Sequence, residues 1–260
     1  MKKDLIKSIN LICKEFKQIL SDNLLSIYIY GSCVLDDFKL GWSDIDILVL
    51  TKNTLKEDHA NKLLTLRQDM LKKFPQNKYF KSFEGAILSA DAFINRNKTS
   101  VVYWGTKGEK IKDCYSLDSF SMKELIESGE LLYGEDIRNQ LKMPTYEDLK
   151  HDIIHHYQTI REHAQITGRN LYSFGWFLDI SRCIYTVKTG EIISKTKAGE
   201  WAIKNNICPY TKLLKNVLKI RNNPLKYKNR KEIMDWAETL GNYVQDYADV
   251  LEEYLNKKRT

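Results

Sequence analysis

Long apolar runs are missing from this 260-residue chain, as are CxxC pairs, low-complexity tracts and internal repeats. A bilayer span takes about 20 consecutive apolar residues, so a membrane protein is not expected. The five cysteines (Cys13, Cys33, Cys114, Cys183, Cys208) are scattered and odd in number. That spacing argues against a disulfide frame or a zinc site and for reduced thiols, as in a cytoplasm. The opening MKKDLIKSINLICKEF interleaves charge with apolar residues and lacks a continuous apolar core, so it is not a signal peptide. Prolines and glycines are few, 4 and 12.

What is present is the composition of an ordinary globular protein, 43% hydrophobic and 29% charged. The length suffices for one large domain or two modest ones, each with its own core. A net charge of +7 favours anionic partners such as nucleotide phosphates or nucleic acid.

Apolar residues Leu5, Ile6, Ile9, Ile12, Phe16, Ile19 and Leu20 recur at helical spacing. LSIYIYG then has the β-branched and aromatic content of a buried strand, GSCVLDDF is a turn entering a short helix, and IDILVL is a second strand. Helical period returns from about Leu55 to Lys73, and FEGAILS, Phe83–Ser89, is a third strand. Strands and helices alternate up to about Leu141, which makes the first half α/β. Beyond Pro144 the segments Tyr146–Thr167, Leu171–Lys188, Ser194–Asn205, Tyr210–Ile220 and Lys231–Lys257 all have helical period. The expected division is therefore residues 1–143 and an all-helical domain, residues 144–260.

The second strand carries Asp44 and Asp46 where packing would favour apolar residues. Residues two apart on a strand share a face, roughly 6.5–7 Å apart, while Ile45 and Ile47 face the other side. Two carboxylates on one face repel, and burying either without a cation costs several kcal/mol. A divalent metal removes the conflict: Mg²⁺ takes one or two protein carboxylates together with substrate phosphates. Gly31-Ser32 supplies the complement, a glycine that admits a phosphate to the backbone and a hydroxyl that can donate to it. Glu84, in the otherwise apolar third strand, is the candidate for a further ligand or a general base.

Gly31, Ser32, Ser43, Asp44, Ile45, Asp46, Ile47, Leu48 and Val49 form a G-S-x(9–13)-[S/T]-D-x-D-[apolar]-x-[apolar] pattern. It resembles the signature of the nucleotidyltransferase superfamily related to DNA polymerase beta. The resemblance implies a small mixed-sheet catalytic domain, Gly31, Ser32 and Ser43 on the phosphate side, Asp44 and Asp46 as metal ligands, and Glu84 as the third acid. Within that superfamily, SRCIYTVKTGEIISKTKAGEWAI (Ser181 to Ile203) resembles a block of the streptomycin/spectinomycin adenylyltransferases, R-x-x-Y-T-x-x-T-G-x-x-x-S-K-x-x-A-x-x-W-A. Arg182, Lys195, Ala198 and Trp201 stand at the matching positions. The resemblance implies a helical domain whose Arg182 and Lys195 contact ATP, the AMP donor, and an acceptor hydroxyl on a drug.

The residues themselves agree. Arg182 sits among Ile180, Cys183 and Ile184 on an apolar helix, where a guanidinium requires a partner. Ser194 is an N-cap candidate, which puts Lys195 in a first turn where a cation requires an anion nearby. Trp201 to Lys231 holds nine lysines and arginines and no acid, a solvated face or the wall of a phosphate site. One departure stands out: the resembling family has an acidic residue before the arginine helix, whereas Tyr172–Gly175 has none, and Asp179 is out of register. Trp104 and Trp176 are the aromatic candidates for the acceptor.

The function expected is therefore ATP- and Mg²⁺-dependent AMP transfer to a hydroxyl of an aminoglycoside or aminocyclitol antibiotic. The alternatives are a protein-AMPylating regulatory transferase, or a nucleotide- or RNA-binding module without turnover. For the leading reading, nucleic acid and membrane are not expected partners, and a monomer is expected over an oligomer.

Overall fold

The structure, a computed structural model, describes residues 2–257 and divides into two units. The chain up to Phe38 and Ser43–Met143 form the first, while Lys39–Trp42 and the chain from Pro144 onward form the second. No helix among the described residues is long and apolar enough to cross a membrane. All five cysteines are free thiols, and Cys114 is exposed.

In the first unit, α1 (Lys3–Leu20) buries Leu5, Ile9, Ile12, Phe16 and Leu20 along one stripe. It leads to β1 (Leu24–Tyr30) and then β2 (Ile45–Thr51). Next come α2 (Glu57–Lys73), β3 (Phe83–Ser89), α3 (Ala90–Asn95), β4 (Val101–Gly105), β5 (Gly108–Lys112), α4 (Ser119–Ser128) and β6 (Glu130–Gly134). The sheet order is β5-β4-β3-β2-β1-β6. Among the described residues, only β2 and β3 pair in parallel, and α2 is the crossover that a parallel pair needs. The other neighbours are antiparallel, so the sheet is mixed.

Period-two alternation sorts each strand between two cores. Ile45, Ile47 and Val49 of β2, with Phe83 and Ile87 of β3, pack against α1 and α2. Leu48, Leu50, Ala86 and Leu88 pack on the opposite face with Phe93 of α3 and Leu125 of α4. The start of β3 is clamped by Arg67, which donates to the Phe83 carbonyl at 2.7 Å, the Gly105 carbonyl at 2.9 Å and Glu109 at 2.5 Å.

The short helix expected after Gly31 is a single 3₁₀ turn, Gly31–Cys33. The Gly31 carbonyl accepts from both Val34 and Leu35, and the chain then turns away at Asp36, whose φ is +54°.

The second unit is helical: α5 (Tyr146–His163), α6 (Tyr172–Thr189), α7 (Lys195–Lys204), α8 (Thr211–Asn222), α9 (Pro224–Tyr227), α10 (Lys231–Glu238) and α11 (Gly241–Asn256). Ser194, the expected N-cap, caps α7, and Thr145 and Asp148 form a capping box on α5. The continuous helix expected over Lys231–Lys257 is instead two helices. At the break, the Leu240 N–H donates to the buried Thr167 hydroxyl at 3.1 Å, and the chain passes so close to Gln165 that a Cβ on Gly241 would meet its carbonyl at 1.9 Å. The segment Lys39–Trp42 packs here: the Arg221 guanidinium lies 5.6 Å from the Trp42 ring centroid, and Gly41 lies against Leu225.

Candidate active site

The carboxylates of the opening motif gather at one end of β2. Asp46 sits in register with Tyr30 on β1 and with Glu84 on β3. It shares the parity of Leu48 and Leu50, so the face that is apolar farther along the strand becomes acidic at its start. Asp44 immediately precedes β2, and its carbonyl accepts from the Ser32 hydroxyl at 3.3 Å. That bond ties the Gly31 turn to the acidic strand end. Ser43 is buried, whereas Asp44, Asp46 and Glu84 are half-buried.

Two glycines make this convergence possible. Gly31 has a φ of +67°, and a Cβ there would lie 2.3 Å from Asp46 Oδ2. Gly85 has a φ of +149°, and a Cβ there would lie 1.8 Å from the Ile47 carbonyl oxygen. Both conformations are ones L side chains rarely adopt, and at both positions even a methyl has no room. Gly85 thus lets β3 close on β2, which brings Glu84 beside Asp46.

Glu84 is held on both oxygens. The Tyr103 hydroxyl donates to Oε1 at 2.7 Å, and the Thr106 hydroxyl donates to Oε2 at 3.2 Å. Each oxygen keeps a second lone pair for another donor. Around the carboxylates lies a phenol layer. Burial first, and then the negative charge of Glu84 and Asp44, pushes the Tyr103 hydroxyl up. Burial, together with the charges of Asp46, Asp118 and Glu84, pushes Tyr115 up to about 12, while a hydrogen bond with Tyr30 pulls the other way. Tyr30 and the Cys33 thiol are also driven up, by burial first and by Asp46 among their charged neighbours. These groups stay neutral donors beside the acids.

That field is the one a cation would relieve. No group of three or more His, Cys, Asp or Glu side chains among the described residues could hold a metal ion unaided. Mg²⁺ takes one or two protein carboxylates and completes its shell with phosphate and water. Hard oxygen donors at a negative strand end are the right chemistry for it.

In the helical unit, Arg182 is half-buried on α6 and Lys195 opens α7. Asp179 Oδ1 lies 2.6 Å from Lys195 Nζ. Burial pushes the Asp179 carboxyl up, but Lys195, His156 and Arg182 outweigh it and hold the carboxyl below its ordinary value. The anion that Lys195 requires is thus present in the chain itself, on α6. Trp176 is half-buried, with its ring centroid 6.1 Å from that of His156.

Trp104 corrects the sequence reading. It is 0% exposed, stacks on Phe16 with centroids 5.3 Å apart, and donates its indole N–H to the Leu63 carbonyl at 2.9 Å. Its place on β4 points it into the core under α1 and α2, so it cannot wall an acceptor site. The neighbour that does face Glu84 is Tyr103, which sequence reasoning passed over. Alternation along VVYWG puts those two residues on opposite faces, but nothing local says which face is the acidic one.

Among families, residues 9–94 match the model described as a nucleotidyltransferase domain, and residues 145–248 match that of the aminoglycoside adenylyltransferase C-terminal domain. Among solved structures, the chain is similar to spectinomycin adenyltransferase AAD(9) from Enterococcus faecialis, determined with ATP and spectinomycin. The TM-score is 0.68 at 18% identity, covering 95% of this chain and 99% of that one. At that identity the likeness shows the α+β fold. No curated protein matches the chain by sequence.

Proposed function

Because the chain is a nucleotidyltransferase that carries the C-terminal domain of the aminoglycoside adenylyltransferases, we propose that it moves AMP from ATP to a drug hydroxyl. The acceptor is an aminoglycoside or aminocyclitol of the spectinomycin or streptomycin type, and pyrophosphate leaves. The observation that carries this reading is the register of Asp46 with Glu84 beside the Gly31 turn. One carboxylate faces the donor and the other is left for the acceptor.

Asp44 and Asp46 would hold Mg²⁺, which when bound neutralises phosphate oxygens and orients the triphosphate. Gly31, Ser32 and Ser43 lie on the phosphate side, where a Cβ-free backbone and hydroxyl donors can approach an anion. Arg182 and Lys195 supply cationic charge for the triphosphate from the helical domain. Asp179 is paired with Lys195 and lies in the field of Arg182. Glu84 accepts the proton of the acceptor hydroxyl as the oxygen bonds to the α-phosphorus and the bond to pyrophosphate breaks. Tyr103 and Thr106 fix the direction in which Glu84 can take that proton. Trp176 is the aromatic side chain proposed to contact the acceptor from the helical domain.

The test is pyrophosphate release from ATP and Mg²⁺ with a panel of aminoglycosides and aminocyclitols, together with mass spectrometry for one added AMP on the drug. Turnover by the wild type and its loss in Asp46→Asn is the expected result. Unchanged release in Asp46→Asn, or none with any drug, would overturn the reading. Labelled AMP on a polypeptide rather than on a drug would move the acceptor to a protein.

A further inference from the structure

The loop between the Gly31 turn and Asp44 leaves the first unit for four residues, Lys39–Trp42, which group with the helices of the second. A turn shapes it: the Trp42 N–H donates to the Lys39 carbonyl at 2.9 Å, and Gly41 has a φ of +89°. Trp42, at its end, is only 7% exposed and is followed directly by Ser43 and Asp44.

Two helices hold the indole. On α6, a Cβ on Gly175 would lie 3.8 Å from Trp42 Cζ2, an ordinary contact distance. Gly175, Asp179 and Arg182 are spaced four and three apart, so they share one face of α6. Trp42 therefore lies toward the stripe of α6 that carries both charged residues. On α8, the Arg221 guanidinium is 5.6 Å from the Trp42 ring centroid, within cation–π reach.

Arg221 is 2% exposed, on the face of α8 that also buries Leu214, Val217 and Leu218. A guanidinium is rarely buried so deeply unless its donors and its plane are used. Its Nε donates to the Thr196 hydroxyl at 3.1 Å, and Thr196 follows Lys195 in the first turn of α7. The contacts close a circuit. Arg221 joins Trp42 to Thr196, Lys195 pairs with Asp179 of α6 at 2.6 Å, and α6 returns to Trp42 at Gly175.

We propose that Arg221 is a positioning residue for ATP. Through Thr196 and Trp42 it holds two segments to one helix: the first turn of α7, with Lys195, and the loop that enters Ser43 and Asp44. The proposal rests on the reading of Asp44 and Lys195 as groups that serve one triphosphate. Ordering both segments before the nucleotide arrives lowers the cost of binding it. The edge of one guanidinium serves the hydroxyl while its face serves the indole, which a lysine ammonium cannot do.

Calorimetric titration with ATP and Mg²⁺, without drug, tests this in the wild-type protein, in Arg221→Lys, in Trp42→Leu and in the double variant. Circular dichroism melting checks that each is folded. ATP affinity is expected to fall about tenfold in each single variant and no further in the double, because both changes break one circuit. Trp42→Phe, which keeps an aromatic face, should recover most of the loss. In drug-dependent pyrophosphate release, the KM for ATP should rise by the same factor while the KM for drug holds. Simple loss of folded enzyme would instead lower kcat and leave both KM values in place. Wild-type ATP affinity in a folded single variant, or losses that add in the double, would overturn the proposal. A wild-type protein that does not bind ATP–Mg²⁺ would overturn it together with the transferase reading. Turnover with ATP affinity indifferent to Arg221 removes the proposal and leaves the transferase; Arg221-dependent ATP binding without AMP on any drug does the reverse.

Discussion

Replacing Gly31 with alanine adds one methyl at a position where φ is +67° and where a Cβ would lie 2.3 Å from Asp46 Oδ2. Comfortable carbon contacts begin at about 3.5 Å, so the carboxylate and the turn must separate by about 1 Å. The left-handed backbone itself costs an alanine about 1–2 kcal/mol. At about 2–4 °C per kcal/mol for a chain of this size, the melting temperature should fall by about 2–8 °C, which leaves the protein folded at 25 °C. Activity should suffer far more, because a displacement of about 1 Å at a reacting centre costs on the order of 100-fold. The assay is kcat/KM for drug-dependent pyrophosphate release, beside a melting curve followed by circular dichroism. Gly31→Ala that melts a few degrees early yet keeps the wild-type kcat/KM would refute the reasoning. The position of Asp46 against the turn would then be irrelevant to the chemistry.

Other substitutions separate packing from chemistry. Trp104→Phe keeps the aromatic contact with Phe16 but leaves the Leu63 carbonyl without its indole donor. It should lose about 1–3 kcal/mol in urea unfolding with an unchanged acceptor KM, and a several-fold rise in KM in the folded variant would return Trp104 to the site. Arg67→Met strands the Glu109 carboxylate, 11% exposed, and two carbonyls. A loss of about 3–5 kcal/mol is expected, and a change under 1 kcal/mol would show that the clamp on β3 is dispensable. Asp179 is held below its ordinary value of 3.8, chiefly by Lys195 against the opposing effect of burial. A depressed carboxyl stabilises the fold above its unfolded pKa and ceases to as pH falls through the folded value. The stability gap between wild type and Asp179→Asn should therefore be constant from about pH 7 to 5 and close below about pH 4; an equal gap at pH 7 and pH 3 would contradict the pairing.

The alternation from Ile45 to Leu50, the single acid in FEGAILS and the helical stripe of residues 5–20 are local patterns, so the elements they specify are legible without the fold. The Ser194 cap is legible for the same reason: the groups it satisfies lie within a turn. The break at Leu240 is not, because its cause is Thr167, 73 residues away in the chain. A stripe continuous from Ile233 to Leu255 cannot announce that its middle backbone group is donated elsewhere. Trp104 and Tyr103 show the same limit on a strand. Period two separates them, but which of them faces Glu84 depends on the register of β4 against β3.

By itself, then, the sequence determined that an acidic strand start follows a glycine turn, that a third acid lies on a later strand, and that a helical half carries the cations Arg182 and Lys195. Only the tertiary structure decided that Asp46 and Glu84 are neighbours, that the Tyr103 hydroxyl is bonded to Glu84, and that Asp179 already answers Lys195. The reason is one of range. Periodicity and capping are interactions over a few residues, written wherever they act. A site is made by strand registers and approaches across tens of residues, which no local pattern encodes.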